Sequence, residues 1–154
     1  GAVAGKAPDR VAGILLDDAA GDLTQIPANQ IEGWLQNFSA DTYDTFREAW
    51  FGEMFSVAHP ATRDQVMATL KATPREVVAA SARSMAKYDP LPALKAYRGP
   101  MLAVVTFYNN QPYSLQNVVP GLKSTEIRDA SHWIQMDRPT EFNQVMDEFL
   151  LTAK

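Results

Sequence analysis

Two short apolar runs that lie far apart in the chain most limit what it can fold into. Residues 11–16 are followed at once by two aspartates, and residues 101–106 follow a Gly-Pro pair. Apolar runs of this length, bounded by polar residues, are typical of strands buried on both faces of a parallel sheet. A third, weaker strand is predicted at 124–128, where the alternation of side chains indicates a position at the sheet edge.

The long segment between the first two predicted strands has helical spacing. Two apolar helical faces are formed by Ile31, Trp34, Leu35 and Phe38, and by Phe46, Trp50, Phe51, Met54 and Phe55. Three further helices are expected to begin at Pro60, at the capping-box spacing of residues 73–76, and at Pro139. The order is strand, helical insertion, strand, short helix, strand, helix, which indicates an α/β protein with a parallel sheet of about three strands.

Composition excludes several classes of function. The chain has 154 residues, a net charge of −4 and no cysteine, so a basic nucleic-acid surface, disulfides and thiolate metal sites are not expected. Two histidines are too few for a site built from several imidazoles. Since no stretch approaches the roughly 20 apolar residues of a membrane span, we expect a cytoplasmic protein with neither a membrane nor a nucleic-acid partner.

His132 is the main candidate for chemistry. It lies after the third predicted strand and before the last helix, where open α/β sheets place their ligands. An imidazole there can act as a general base. The alternative is a structural histidine bonded to a backbone carbonyl.

Two sequence patterns resemble those of the α/β-hydrolase family. Residues 129–142 are similar to its histidine loop and the following D-x-P-E-x-F pattern, and residues 8–17 resemble the stretch after its nucleophile elbow. The resemblance implies a partial α/β-hydrolase fold. Residues 1–18 and 90–154 would form the carboxyl-terminal half of the core, and residues 19–89 a helical cap.

The resemblance also implies which residues are catalytic. His132 would be the base, and Asp17 aligns best with a position where some members carry the acid. Asp17 or Asp18 could instead cap the next segment, and Asn109 or Asn110 could orient His132 without a charge. No serine in the chain has a glycine two residues away on both sides. We therefore expect a fragment whose serine lies upstream of Gly1 and which is inactive alone.

By the same resemblance, the intact protein would hydrolyse a carboxylic ester or similar acyl substrate without a cofactor or metal. Trp133, Trp50 and Phe51 are candidates for substrate binding, although residues at helical spacing can equally form the core of the cap. The alternatives are a cofactor-free oxygenase or lyase, and a non-catalytic interaction module. The apolar run 11–16 would be an exposed sheet edge, which predicts a homodimer.

Overall fold

A computed structural model describes residues 2–39 and 41–153, and in it the three predicted strands form one parallel sheet. They are β1 (Ile14–Asp17), β2 (Met101–Val105) and β3 (Lys123–Glu126), in the order β1-β2-β3. The predicted α/β architecture with a parallel sheet of about three strands is confirmed. The assignment of residues 1–18 and 90–154 to the core and 19–89 to a cap stays a prediction, and positions 1, 40 and 154 lie outside the described residues.

Helices occupy most of the remaining chain. They are α1 (Ala2–Lys6), α2 (Ala28–Gln36), α3 (Tyr43–Met54), α4 (Pro60–Ala72), α5 (Arg75–Lys87), α6 (Leu91–Ala96), α7 (Leu115–Val118), α8 (Ile134–Asp137) and α9 (Pro139–Thr152). Short 3-10 turns cover Pro8–Arg10, Leu23–Gln25 and Phe107–Asn109.

The two faces of the sheet carry separate cores because strand side chains alternate. Val104 faces the core that contains Ile134 and Phe142, beneath α8 and α9. Its neighbours Ala103 and Val105 face the opposite core, which α1, α6 and α7 cover. Both faces of β2 are therefore covered, as its unbroken apolar sequence predicts.

The helices α2–α5 pack around aromatic residues of their own. One cluster centres on Phe38 and Tyr43. A second centres on Phe51 and Phe55, and Trp133 packs against it. The insertion therefore rests on the loop that follows β3, next to His132.

The capping box predicted at residues 73–76 does not form. The hydroxyl of Thr73 donates to the carbonyl of Thr69, 2.8 Å away, at the end of α4. α5 begins at Arg75 without a side-chain cap. The carbonyl of the preceding turn competes successfully for the hydroxyl on which the capping prediction depended.

β1 has one paired side within the described ranges. It bonds β2, while its other edge has no strand beside it in residues 2–39 and 41–153, and Leu15 and Leu16 stay half-buried. In the same ranges, no helix is long and apolar enough to cross a membrane.

Candidate active site

Polar side chains from three consecutive strand ends meet at one edge of the sheet. Asp18 follows β1, Thr106 and Asn109 follow β2, and His132 lies in the loop after β3. The three strands are parallel, so their carboxyl ends lie at the same edge, where α/β sheets bind ligands.

Asp18 is buried and has an unusual backbone conformation. Its side chain is 1% exposed and its φ is +41°, in the left-handed region that residues other than glycine, asparagine and aspartate rarely adopt. Its backbone N–H donates to the carbonyl of Val104, 2.8 Å away. This bond holds the residue at the end of the sheet and directs its carboxylate across the end of β2.

The carboxylate of Asp18 joins the three loops. Its Oδ2 lies 2.7 Å from Nδ1 of His132. Its Oδ1 accepts hydrogen bonds from the backbone N–H of Thr106 at 2.8 Å, the Thr106 hydroxyl at 2.9 Å and the side-chain amide of Asn109 at 2.7 Å. Burial alone would raise the pKa of Asp18, but hydrogen bonds from His132, Asn109 and Thr106, together with the charge of His132, lower it below its usual value.

The ionised carboxylate fixes the protonation pattern of the imidazole. A carboxylate is an acceptor only, so Nδ1 of His132 carries the hydrogen and donates it. In the neutral ring, Nε2 is then the acceptor, which is the state a general base needs. The His132 side chain is 35% exposed, so a ligand can reach it.

Asp17, the acid that the resemblance favours, does not pair with His132. The bond to Nδ1 comes from Asp18 instead, because Asp17 ends β1 and adjacent strand side chains point to opposite sides of the sheet. Burial, and then the charge of Asp18, raise the pKa of Asp17 against the opposing charge of His132, and the net result is a pKa of about 6. Its buried Oδ1 accepts no hydrogen bond from the described part of the chain.

Asn109 also has a different role from the one considered. Its side-chain amide donates to Asp18 rather than to His132. It therefore orients the imidazole indirectly, through the carboxylate.

Asp137 holds the histidine loop in place. Its Oδ2 accepts from the backbone N–H of Ser131 at 2.8 Å and from the Ser131 hydroxyl at 2.5 Å, and its Oδ1 accepts from the N–H of His59 at 2.9 Å. Burial opposes its charge, but bonds from Ser131, Thr62 and His59 lower the pKa of Asp137. One carboxylate thus ties the loop before His132 to the start of α4.

A cavity of about 370 Å³ opens beside His132. Its walls include Asp18, Trp50, Glu53, Tyr108, Asn109, Tyr113 and His132. The hydroxyl of Tyr108 donates to the Glu53 carbonyl, 2.6 Å away, and lies 2.5 Å from that of Ser56. The loop after β2 is therefore fixed to the end of α3, and the cavity lies between the insertion and the sheet.

The three aromatic residues predicted to bind substrate are in different surroundings. Trp50 lines the cavity. Trp133 stacks on Phe55 with ring centres 4.8 Å apart and lies 6.2 Å from Phe51. Phe51 and Trp133 thus pack where the insertion meets the histidine loop, and substrate binding by any of the three stays a prediction.

The sequence patterns did not predict that Thr106 donates hydrogen bonds to Asp18, or that Asp137 accepts hydrogen bonds from Ser131 and His59. Thr106 was visible as the polar end of the second apolar run, a position that faces the same sheet edge as Asp18. Asp137 matches the aspartate of the D-x-P-E-x-F pattern, but that pattern does not reveal its hydrogen-bond partners, which lie six and 78 residues away. Within the described ranges, no three His, Cys, Asp or Glu side chains are grouped so that they could hold a metal ion.

A comparison with curated proteins gives a short match, while no protein-family model matches the chain. A segment of 38 residues is 42% identical to the bifunctional epoxide hydrolase 2 of Sus scrofa, and it covers 25% of this chain and 7% of that relative.

Structural comparisons extend over nearly the whole chain. Est816, described as an N-acyl homoserine lactone degrading enzyme, matches 96% of this chain with a TM-score of 0.59 and 21% identity. MenH from S. aureus matches 92% with a TM-score of 0.68 and 18% identity, and proline iminopeptidase from Mycobacterium smegmatis matches 99% with 0.60 and 16%. The chain spans 59–61% of the length of these neighbours.

The raised pKa of Asp17 predicts a pH-dependent effect of Asp17→Asn. The folded state holds this proton more tightly than the unfolded state, so the wild type loses stability as the pH rises from about 4 to about 6, and the loss persists above pH 6. Asp17→Asn should then raise the free energy of unfolding at pH 8 by about 1–2 kcal/mol, less than the roughly 3 kcal/mol that the whole pKa change represents, because partial exposure screens the charge. At pH 4 the two proteins should be nearly equal.

Urea denaturation at both pH values measures this difference. Asp9→Asn, at an exposed position, is the matched control and should change stability little at either pH. A stabilisation by Asp17→Asn that is the same at pH 4 and pH 8 would contradict the assignment.

Proposed function

We propose that His132 and Asp18 are the general base and its acid partner in a hydrolase, because this chain has the α/β-hydrolase fold of its structural neighbours and carries the pair at its strand ends. The observation that supports this best is the 2.7 Å contact between Nδ1 of His132 and an ionised, buried carboxylate. That arrangement leaves Nε2 to take a proton from a nucleophile.

The reaction is the hydrolysis of a carboxylic ester or a related acyl compound, such as a lactone. His132 would deprotonate a serine and later return the proton to the leaving group, while Asp18 stabilises the imidazolium that forms. The serine and the oxyanion donors would come from a polypeptide segment outside this sequence, since the chain has no G-x-S-x-G motif. The lactone-degrading neighbour supports the acyl class of substrate.

The hydrolase proposal predicts a sharp division of activity between polypeptides. The chain alone should not turn over p-nitrophenyl acetate or butyrate, while a longer polypeptide that includes the nucleophile segment should do so. In that longer protein, His132→Ala and Asp18→Asn should each lower kcat by about 10³-fold or more, since removal of a triad member has losses of this order.

Matched controls make this test specific. His59→Ala and Asp17→Asn should leave kcat within about threefold of the wild type, because neither residue bonds His132 in the described structure. A larger loss in Asp17→Asn than in Asp18→Asn would contradict the proposed pair. A fluorophosphonate probe should label the longer protein, and failure to label it would favour the oxygenase, lyase or interaction-module alternatives.

We also propose that the chain forms a two-fold dimer through the free edge of β1. The N–H groups of Ile14 and Asp18 donate to the carbonyls of Pro100 and Val104, so the alternate residues Leu15 and Asp17 direct their N–H groups towards the free edge. An apolar edge with free backbone donors tends to recruit another strand.

The dimer proposal predicts a selective effect of proline at position 15. Leu15→Pro removes an outward donor without removing a bond to β2, and edge strands tolerate proline. Sedimentation at micromolar concentration should show a dimer for the wild type and for Leu15→Ala, and a folded monomer for Leu15→Pro. A wild-type monomer would overturn this proposal.

A further inference from the structure

A second cavity adjoins the one beside His132. It has a volume of about 360 Å³ and shares Ala20, Trp50 and Tyr113 with the first cavity. The two cavities are therefore adjacent, and we call them together the cleft, which extends from the sheet edge to the helical insertion. We call the second cavity the apolar annex and define it by Leu23, Ile26, Ile31, Trp34, Trp50 and Met85.

The two parts of the cleft differ in chemistry. The wall of the first cavity contains the ionisable side chains of Asp18, Glu53 and His132. The described wall of the annex contains no charged side chain, and its polar residues are Gln30 and Tyr113. A molecule that fills the whole cleft must therefore have a polar end beside His132 and an apolar end in the annex.

The annex is built on packed residues. Trp34 and Trp50 meet edge to face with ring centres 5.6 Å apart, and Trp34 packs in the same way on buried Phe38. Leu23 is 8% exposed, in a turn that the carboxylate of Asp22 caps through Thr24 and Gln25. An apolar ligand would enter a preformed surface, so little ordering of the protein opposes its binding.

We propose that the annex binds the unbranched apolar chain of a neutral acyl substrate whose carbonyl group lies beside His132. This inference rests on the proposed function, since it names the substrate class of the same site. The carboxylates of Asp18 and Glu53 favour a neutral ester or lactone over an anionic ligand. The affinity then depends on the length of the acyl chain mainly through apolar contact with Ile31, Trp34 and Met85.

The test measures the affinity of the protein for methyl butanoate, methyl hexanoate and methyl octanoate, with tryptophan fluorescence as the binding signal. Two of the three tryptophans line the annex, so binding there should change the signal. Burial of each added methylene should lower Kd about threefold to fourfold. A Kd that does not depend on chain length would overturn the proposal.

Substitutions locate the binding surface. Ile31→Glu introduces a charge into the annex and should abolish the dependence on chain length, while Ile31→Ala should weaken octanoate binding more than butanoate binding. Val77→Glu, at a 51% exposed position on α5 outside the annex, is the matched control and should bind all three esters as the wild type does. Far-ultraviolet circular dichroism checks folding, and an Ile31→Ala protein that is folded and binds like the wild type would contradict the proposal.

The results distinguish a failure of the annex proposal from a failure of the proposed function. If affinity depends on acyl-chain length but no polypeptide hydrolyses the esters, the proposed function is wrong and the annex remains an apolar binding site. Hydrolysis in the longer polypeptide with the same kcat/KM for all three esters would remove the annex proposal and leave the hydrolase.

Discussion

The buried carboxylate of Asp18 is the interaction on which the site depends. A negative charge that is 1% exposed is costly unless donors surround it. The donors are the Thr106 backbone and hydroxyl, the Asn109 amide and the His132 imidazole, and they come from loops after two other strands. The carboxylate is therefore stable only when the parallel register brings all three strand ends together. The same register thus determines both the fold and the orientation of the imidazole.

The helical insertion takes part in the same arrangement. Asp137 joins the histidine loop to the start of α4, and Tyr108 joins the loop after β2 to the end of α3. Trp133 stacks on Phe55 of the insertion, directly after the catalytic candidate. The Tyr108 connection lines the cavity beside His132, and the other two fix the histidine loop, so a change in the insertion would alter the position of His132 as well as the shape of the cavity.

Much of this architecture could be predicted from sequence because it follows from patterns. The two apolar runs predicted β1 and β2, alternation predicted β3, and helical spacing predicted the helices between β1 and β2. The position of His132 after a strand predicted its place at the sheet edge. The sequence favoured Asp17 as the acid, whereas Asp18 contacts His132, because the resemblance does not reveal the left-handed backbone of Asp18. The capping prediction at Thr73 failed for a related reason, since a spacing does not reveal which nearby carbonyl competes for the hydroxyl.

Nuclear magnetic resonance of the His132 imidazole tests the central claim most directly. In the wild type and in Asp17→Asn, Nδ1 should carry a slowly exchanging, downfield-shifted proton, because the ionised Asp18 carboxylate accepts it. In Asp18→Asn that downfield proton should disappear. Its persistence in Asp18→Asn, together with its loss in Asp17→Asn, would contradict the account.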